Sequence, residues 1–139
     1  PVSENVCKFF LSQIVSALVY AESEGVSHPN LTIDNVLVEQ NYNLLLGGWS
    51  NSNNAKKDLL FGIAVIGINL LTGRSPFVCK EIKIDPYGKF LSDKLIHKFW
   101  EQSEKLTRRK NKKFVYSEEF KNIFSALLLG KINSLPKLA

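Results

Sequence analysis

The sequence predicts a mainly helical domain that carries one small β-hairpin. Two stretches, 3–25 and 117–128, place apolar residues three and four positions apart, which is the pattern of a helix with one buried face. Two short apolar runs, Val36–Val38 and Leu44–Leu46, enclose polar residues and are typical of a hairpin. With 139 residues the chain can build one modest core, so we expect a single domain over residues 1–139.

The composition is that of an ordinary globular protein, with 45% apolar and 22% charged residues, and it argues against disorder. The longest apolar stretch, 59–71, is interrupted by two glycines and an asparagine and is too short to cross a bilayer. We interpret it as a buried core helix and expect no membrane partner. Cys7 and Cys79 lack metal-ligand spacing, which favours reduced thiols, and no signal peptide is recognisable.

The first predicted helix spans 3–25 and has a signal at each end. Ser3, followed by Glu4 and Asn5, is a favourable N-terminal cap, and Gly25 favours an end to the helix. We expect its buried stripe to consist of Val6, Phe9, Phe10, Gln13, Ile14, Ala17, Leu18, Tyr20 and Ala21.

The segment after this helix, 28–38, resembles the catalytic loop of eukaryotic protein kinases. In that loop a His comes first, an Asp acts as the base, a Lys follows, and an Asn holds a metal. Here His28 and Asn35 stand at the two ends, but Asn30 replaces the Asp and Thr32 replaces the Lys. The resemblance therefore implies a loop that keeps the frame of the family without its base.

The hairpin continues the same resemblance. In kinases the D-F-G motif follows the second strand, and this position falls on Gly48, Trp49 and Ser50. The metal-binding Asp is thus replaced by Gly48. We expect Trp49 to keep the packing role of the family's Phe and to fill the core beneath the loop, with a ligand-stacking role as the alternative.

The end of the central helix gives the most literal match, since 70–77 reads L-L-T-G-R-S-P-F and resembles the L-L-T-G-x-x-P-F of many kinases. Asp58 is the candidate for the Asp that opens this helix and ties down the catalytic loop, although it comes one residue early. Between Ser50 and Asp58 there is no room for an activation loop or an A-P-E motif. The stretch 130–138 lacks the Arg that pairs with this motif.

In the last third, the segments 85–90, 98–100 and 116–121 resemble calcium-dependent protein kinases of protists, which often carry a D-P-x-Y segment, then F-W, then an F-S-x-E-F-K helix. Phe99 and Trp100 are expected to serve in core and interface packing. Ser117 is a cap for a predicted amphipathic helix whose apolar positions are Phe120, Ile123, Phe124, Leu127 and Leu128.

A basic run lies before this helix and accounts for much of the net charge of +5. We interpret it as a solvated loop; contact with an acidic partner is the first alternative and nucleic acid a less favoured one, because aromatic residues are not interleaved with the charges. The interaction candidates are Trp49 and, in the run, Lys105, Arg108, Arg109, Lys110, Lys112 and Lys113.

The resemblance as a whole implies a degenerate C-terminal lobe of a protein kinase, with the N-terminal lobe absent. An amide at position 30 takes no proton at neutral pH, and the loss of a general base typically costs about 10²- to 10⁴-fold in rate. Asn35 alone does not hold Mg²⁺, which requires carboxylates and phosphate. We therefore expect no catalysis, no cofactor and no metal.

We expect an inactive pseudokinase that serves as an interaction or scaffold subunit, with a protein partner on its upper face. The upper face is the side on which the N-terminal lobe of a kinase packs against the hairpin and the first helix. The alternatives are a residual nucleotide-binding module and a basic nucleic-acid-binding module. The expected location is inside the cell, in the cytoplasm or in a cytoskeletal or organellar assembly.

Overall fold

A computed structural model describes residues 1–28, 31–49, 59–78 and 81–132. These residues form a mainly helical domain with a two-stranded antiparallel sheet, as the sequence predicts. In chain order the elements are α1 (Glu4–Ser23), a 3₁₀ turn (Ile33–Asn35), β1 (Val36–Val38), β2 (Leu44–Leu46), α2 (Leu59–Thr72), a second 3₁₀ turn (Ile82–Ile84), α3 (Gly88–Ser92), α4 (Ile96–Thr107) and α5 (Glu118–Leu128).

Both predicted ends of α1 are confirmed, but its predicted buried stripe is partly wrong. The Ser3 hydroxyl accepts the Val6 N–H at 3.3 Å, and Gly25 adopts φ +76° just after the helix. Three residues of the expected stripe, Val6, Phe9 and Tyr20, are 40%, 51% and 70% exposed. The core covers an adjacent side of the helix, and the buried residues are Cys7, Phe10, Leu11, Ile14, Val15 and Leu18.

Helix α2 is the buried core helix that the sequence predicts, and it packs against both α1 and α5. Gly67 lies where α2 comes closest to its neighbours. A Cβ atom at this position would be 2.7 Å from the Phe124 ring and 3.2 Å from the Leu11 side chain. A residue without a side chain therefore sets the spacing of these helices.

A cluster of aromatic rings joins α4 to α5. Phe99 and Trp100 are 2% and 3% exposed, which confirms their predicted packing role. The Trp100 indole N–H donates to the Ser125 hydroxyl at 2.8 Å, and the Tyr116 hydroxyl lies 2.7 Å from that of Ser103. Of the apolar positions predicted for α5, all are buried except Ile123, which is 37% exposed because it lies at the edge of a groove beside α1.

Asp85 organises the segment between α2 and α3. Its carboxylate is fully buried and accepts backbone N–H groups from Val78, Tyr87 and Gly88. A buried carboxylate is tolerated when such donors compensate its lost hydration. The segment Asp85-Pro86-Tyr87-Gly88 thus has a structural role in this fold.

Helix α1 is long and apolar enough to span a membrane by length and composition, with a mean hydropathy of 1.2 over 18 residues. One third of that window is buried inside the fold. The core helix of a globular protein meets the same criterion, and here the buried side of α1 packs on α2. The expectation of no membrane partner stays a prediction.

The close approach at Gly67 generates a stability prediction. Gly→Ala in a helix interior normally stabilises a protein by up to about 1 kcal/mol. Here the added methyl group collides with the Phe124 ring, and overpacking of this kind costs about 1–3 kcal/mol. We expect Gly67→Ala to lower the free energy of unfolding in urea by about 1 kcal/mol. The double variant with Phe124→Leu should lose less free energy of unfolding than the sum of the losses in the two single variants. Full additivity would contradict the proposed collision.

Cys7 generates a prediction about alkaline pH. Burial, and secondarily the nearby Glu4 carboxylate, raises the pKa of the Cys7 thiol from its ordinary value of 9.0 to about 12. Above pH 9 the unfolded chain therefore releases this proton while the folded chain retains it, so the free energy of unfolding decreases as the pH rises toward 12. Cys7→Ala should make this decrease less steep, as measured by urea titrations at a series of pH values. An equally steep decrease in the variant and the unaltered chain would show that Cys7 is not its cause.

Candidate functional site

The loop after α1 is joined to the end of the hairpin through His28. This side chain is fully buried, and its Nε2 lies 2.7 Å from the Gly47 carbonyl oxygen. Because a carbonyl oxygen only accepts hydrogen bonds, Nε2 carries a proton and donates it to Gly47. The imidazole thus serves to hold two loops together.

Asn35 and Gly48, which the kinase resemblance places at metal-ligand positions, lie in direct contact. The Gly47 N–H donates to the Asn35 carbonyl at 2.7 Å, which brings the two segments together. Gly48 has φ +78°, and a Cβ atom on it would lie 2.7 Å from Cγ and Oδ1 of Asn35. The Asn35 side chain therefore occupies the space that any side chain at position 48 would need.

Trp49 does not fill the core beneath the loop, and this expectation is wrong. The residue is 39% exposed, and its indole N–H donates to the Leu46 carbonyl at 2.7 Å. The ring packs edge-to-face on His28, with the ring centroids 4.7 Å apart. The hydrogen bond to the hairpin keeps Trp49 above His28 and outside the core.

Gln13 connects α1 to the hairpin, a role that the sequence pattern alone does not reveal. Its side-chain oxygen accepts the Leu44 N–H at 2.8 Å, and its side-chain nitrogen donates to the Tyr42 carbonyl at 3.2 Å. A signal is present, because Gln13 is the one amide within the expected apolar stripe of α1. It orients the hairpin relative to the body of helices.

The outer side of the hairpin is apolar and exposed. Leu37 and Leu45 face each other across the strands and are 60% and 49% exposed, while Val38 and Tyr42 are 56% and 66% exposed. We call Leu37 and Leu45 the hairpin face, because the side chain of Val38, the next residue of β1, points to the opposite side of the sheet and Tyr42 lies between the strands. Phe9 and Tyr20 share a helical stripe of α1 with Gln13 and are also exposed, at 51% and 70%.

The other predicted site positions add little chemistry. Asn30 and Asp58 lie outside the described residues. Thr32 is half-buried, and its carbonyl accepts the Asn35 N–H at 3.1 Å. Across residues 1–28, 31–49, 59–78 and 81–132, no three His, Cys, Asp or Glu side chains are grouped as metal ligands.

The basic run is only partly a loop. Lys105 lies in the last turn of α4, and Arg108 donates to the Phe114 carbonyl at 2.9 Å and pairs with Glu104 at 3.4 Å. Glu104 is 6% exposed and also lies 3.4 Å from the Lys121 ammonium group. Of the six candidates, Arg108 thus stabilises the fold. The others are exposed and form no side-chain hydrogen bond or ion pair within the described part of the chain: Lys105, Arg109, Lys110, Lys112 and Lys113.

An apolar groove of about 300 Å³ lies between α1 and α5, and Lys8 and Glu119 form an ion pair of 2.9 Å at its edge. Cys7 lines its base and donates its S–H to the Gly67 carbonyl at 3.6 Å. With a pKa of about 12, this thiol is protonated at neutral pH and does not act as a nucleophile.

Comparisons with known proteins relate parts of the chain to protein kinases. No protein-family model matches the chain. Human NUAK family SNF1-like kinase 1 is 37% identical over 57 residues, which are 41% of this chain and 9% of that kinase. Serine/threonine-protein kinase kin-29 of Caenorhabditis elegans is 30% identical over 81 residues, 58% of this chain and 9% of that kinase. The chain therefore spans about 9% of the length of these curated relatives.

The fold is also similar to that of a solved kinase structure. Rad53 residues 1–466 in complex with AMP-PNP match with a TM-score of 0.65 over 91% of this chain and 36% of that chain. The sequence identity of 22% makes this a likeness of fold alone. The closer resemblance to calcium-dependent kinases of protists stays a prediction. The chain has the helical fold of a protein-kinase-like domain.

Proposed function

We propose that this chain is a catalytically inactive, kinase-like interaction domain, a pseudokinase, that binds a protein partner through the hairpin face. The contact between Asn35 and Gly48 carries the first half of the proposal. A kinase holds its metal with an Asp and an Asn at these positions. Here the position of the Asp is a glycine, and the Asn35 side chain fills the adjoining space.

The sequence supports the same conclusion at the position of the base. Asn30 replaces the Asp that accepts the substrate proton, and Thr32 replaces the Lys of the loop. Mg²⁺ is usually bound through one or two carboxylates together with phosphate, and the positions that correspond to this site offer an amide and a glycine. Residues that act as a unit in catalysis are not additive, so the loss of one of them already removes most of the rate.

The hairpin face supports the second half of the proposal. Leu37 and Leu45 place two large apolar side chains in water at the same point of a two-stranded sheet. A sheet of this size gains stability when another element packs on it. Exposed apolar surface at one place is typical of an interface, and a protein with an apolar patch is the partner that this surface fits.

The exposed cations provide a second contact in this proposal. Arg109 and Lys110, just after α4, would attract an acidic partner over about 10 Å at physiological salt. An acidic protein surface fits these charges, while nucleic acid remains the less favoured partner. A site of action in the cytoplasm stays a prediction.

A test of inactivity restores the missing acids. We expect the double variant Asn30→Asp with Gly48→Asp to show no increase in melting temperature with Mg²⁺ and ATP, because Asn35 blocks the side chain at position 48. Gly48→Asp alone should lower the free energy of unfolding by about 2–3 kcal/mol through the collision and the positive φ.

The control for this test is Gly25→Asp. Gly25 has φ +76°, but nothing lies within 4 Å of the position that a Cβ atom would occupy, so this variant reports backbone strain without a collision. Gly48→Asp should therefore be the more destabilising change. Stabilisation of the unaltered chain by Mg²⁺ and ATP would overturn the proposal and favour a nucleotide-binding module, whereas stabilisation of the double variant alone would show that Asn35 does not block position 48.

A test of the interface uses the hairpin face. A photo-crosslinking residue at position 37 should capture a protein in cells that express the chain, and Leu45→Glu should abolish this capture by placing a charge in the apolar contact. Leu45 is 49% exposed, so the melting temperature should change little.

The control position for both changes is Ile84, which is 63% exposed on the second 3₁₀ turn. A crosslinker at position 84 should capture much less of the same protein, and Ile84→Glu should leave capture at position 37 unchanged. Equal capture at the two positions would show that the hairpin face is not the interface.

A further inference from the structure

A second concave surface lies at the opposite end of α2 from the loop that carries His28. It has a volume of about 360 Å³ and runs between the turn after α2 and the end of α4. We call it the basic groove, and the residues that matter here are Thr72, Gly73, Arg74, Leu106, Arg109 and Lys110.

The charges along the basic groove have one sign. Its charged side chains are Arg74, Arg109 and Lys110, and no Asp or Glu lines it. Arg109 and Lys110 form no side-chain ion pair within the described parts of the chain. Three cations around one concavity attract an anion and repel other cations.

Arg74 is held in place by neutral groups. Its Nη2 donates to the Ser103 carbonyl at 2.9 Å and lies 3.3 Å from the Thr107 hydroxyl. Its buried Nε has no hydrogen-bond acceptor among the residues that the structure describes. The guanidinium is thus rigidly placed while no carboxylate of the described chain neutralises its charge, and an anionic ligand would do so.

We propose that the basic groove binds an acidic segment of a protein partner, with carboxylates beside Arg74, Arg109 and Lys110 and an apolar side chain against Leu106. This inference rests on the proposed function and assigns the second contact of that function to a defined site. It also adds Arg74, which lies outside the basic run, as the rigid cation of the site.

The lining of the groove favours a peptide over nucleic acid. No aromatic ring lines it, so unpaired bases have no surface on which to stack. The three cations surround a short concavity and do not form a stripe along which a phosphate backbone would run. A side chain such as Leu on the partner would find an apolar surface at Leu106.

The test measures fluorescence anisotropy of a labelled peptide that alternates glutamate and leucine, with the glutamine version as the control ligand. Arg109→Gln with Lys110→Gln should weaken binding about tenfold, equal to about 1.4 kcal/mol. Lys112→Gln with Lys113→Gln removes the same charge outside the groove and should weaken binding by about twofold or less.

Arg74→Gln should also weaken binding, and its melting temperature must be measured because Arg74 supports the end of α4. The side chains of Arg109 and Lys110 form no hydrogen bond or ion pair within the described chain. Their double variant therefore tests binding without an effect on folding. Equal losses from the two pairs, binding of the glutamine peptide with equal affinity, or tighter binding of single-stranded DNA than of the peptide would each overturn the proposal.

The experiment separates this inference from the proposed function. Leu45→Glu should leave peptide binding unchanged, because the hairpin face is a different surface. If the acidic peptide does not bind while crosslinking at position 37 persists, only the proposal for the basic groove is refuted. Peptide binding without a crosslinked partner would refute only the hairpin interface.

Discussion

The joint between the loop after α1 and the end of the hairpin is the interaction on which the rest of the site depends. His28 donates to the Gly47 carbonyl, and Gly47 in turn donates to the Asn35 carbonyl. These two bonds, 2.7 Å each, bring Asn35 against Gly48 and place Trp49 over the imidazole ring. Short bonds to backbone atoms tolerate changes in neighbouring side chains, because they do not depend on what those side chains are. The frame of this loop is thus maintained through backbone groups.

Much of the fold could be predicted from the sequence, because its signals are local. The cap at Ser3, the cap at Ser117 and the hairpin runs depend on residues within a few positions of each other. The central helix Leu59–Thr72 could also be predicted, since few of its residues could face water. The short helix α3 could not be predicted, because its five residues carry no periodic pattern and depend on the buried Asp85 beside them.

The parts that could not be predicted depend on contacts between distant residues. The predicted stripe of α1 lies about one residue too far round the helix, because it includes apolar Phe9 and Tyr20, which are exposed and lie outside the core. Gln13 and Leu44 are 31 positions apart, and Arg74 and Ser103 are 29 positions apart. Helical periodicity reports that a residue is apolar but not which neighbour it meets. For the same reason the sequence assigns Trp49 to the core, whereas a hydrogen bond holds it outside.

The distribution of acids explains why some cations of this chain belong to the fold and others are available to a ligand. Glu104 is buried, and it is neutralised by Arg108 and Lys121 while it accepts the Tyr116 N–H. A buried carboxylate with two cations and a backbone donor is costly to disturb, so these two cations are committed to the fold. The next two cations, Arg109 and Lys110, form no ion pair with an acid of the described chain. They line the basic groove together with Arg74. Two of the cations that folding leaves without an acid therefore lie with Arg74 at one concave surface, whereas Leu37 and Leu45 place exposed apolar side chains on the hairpin.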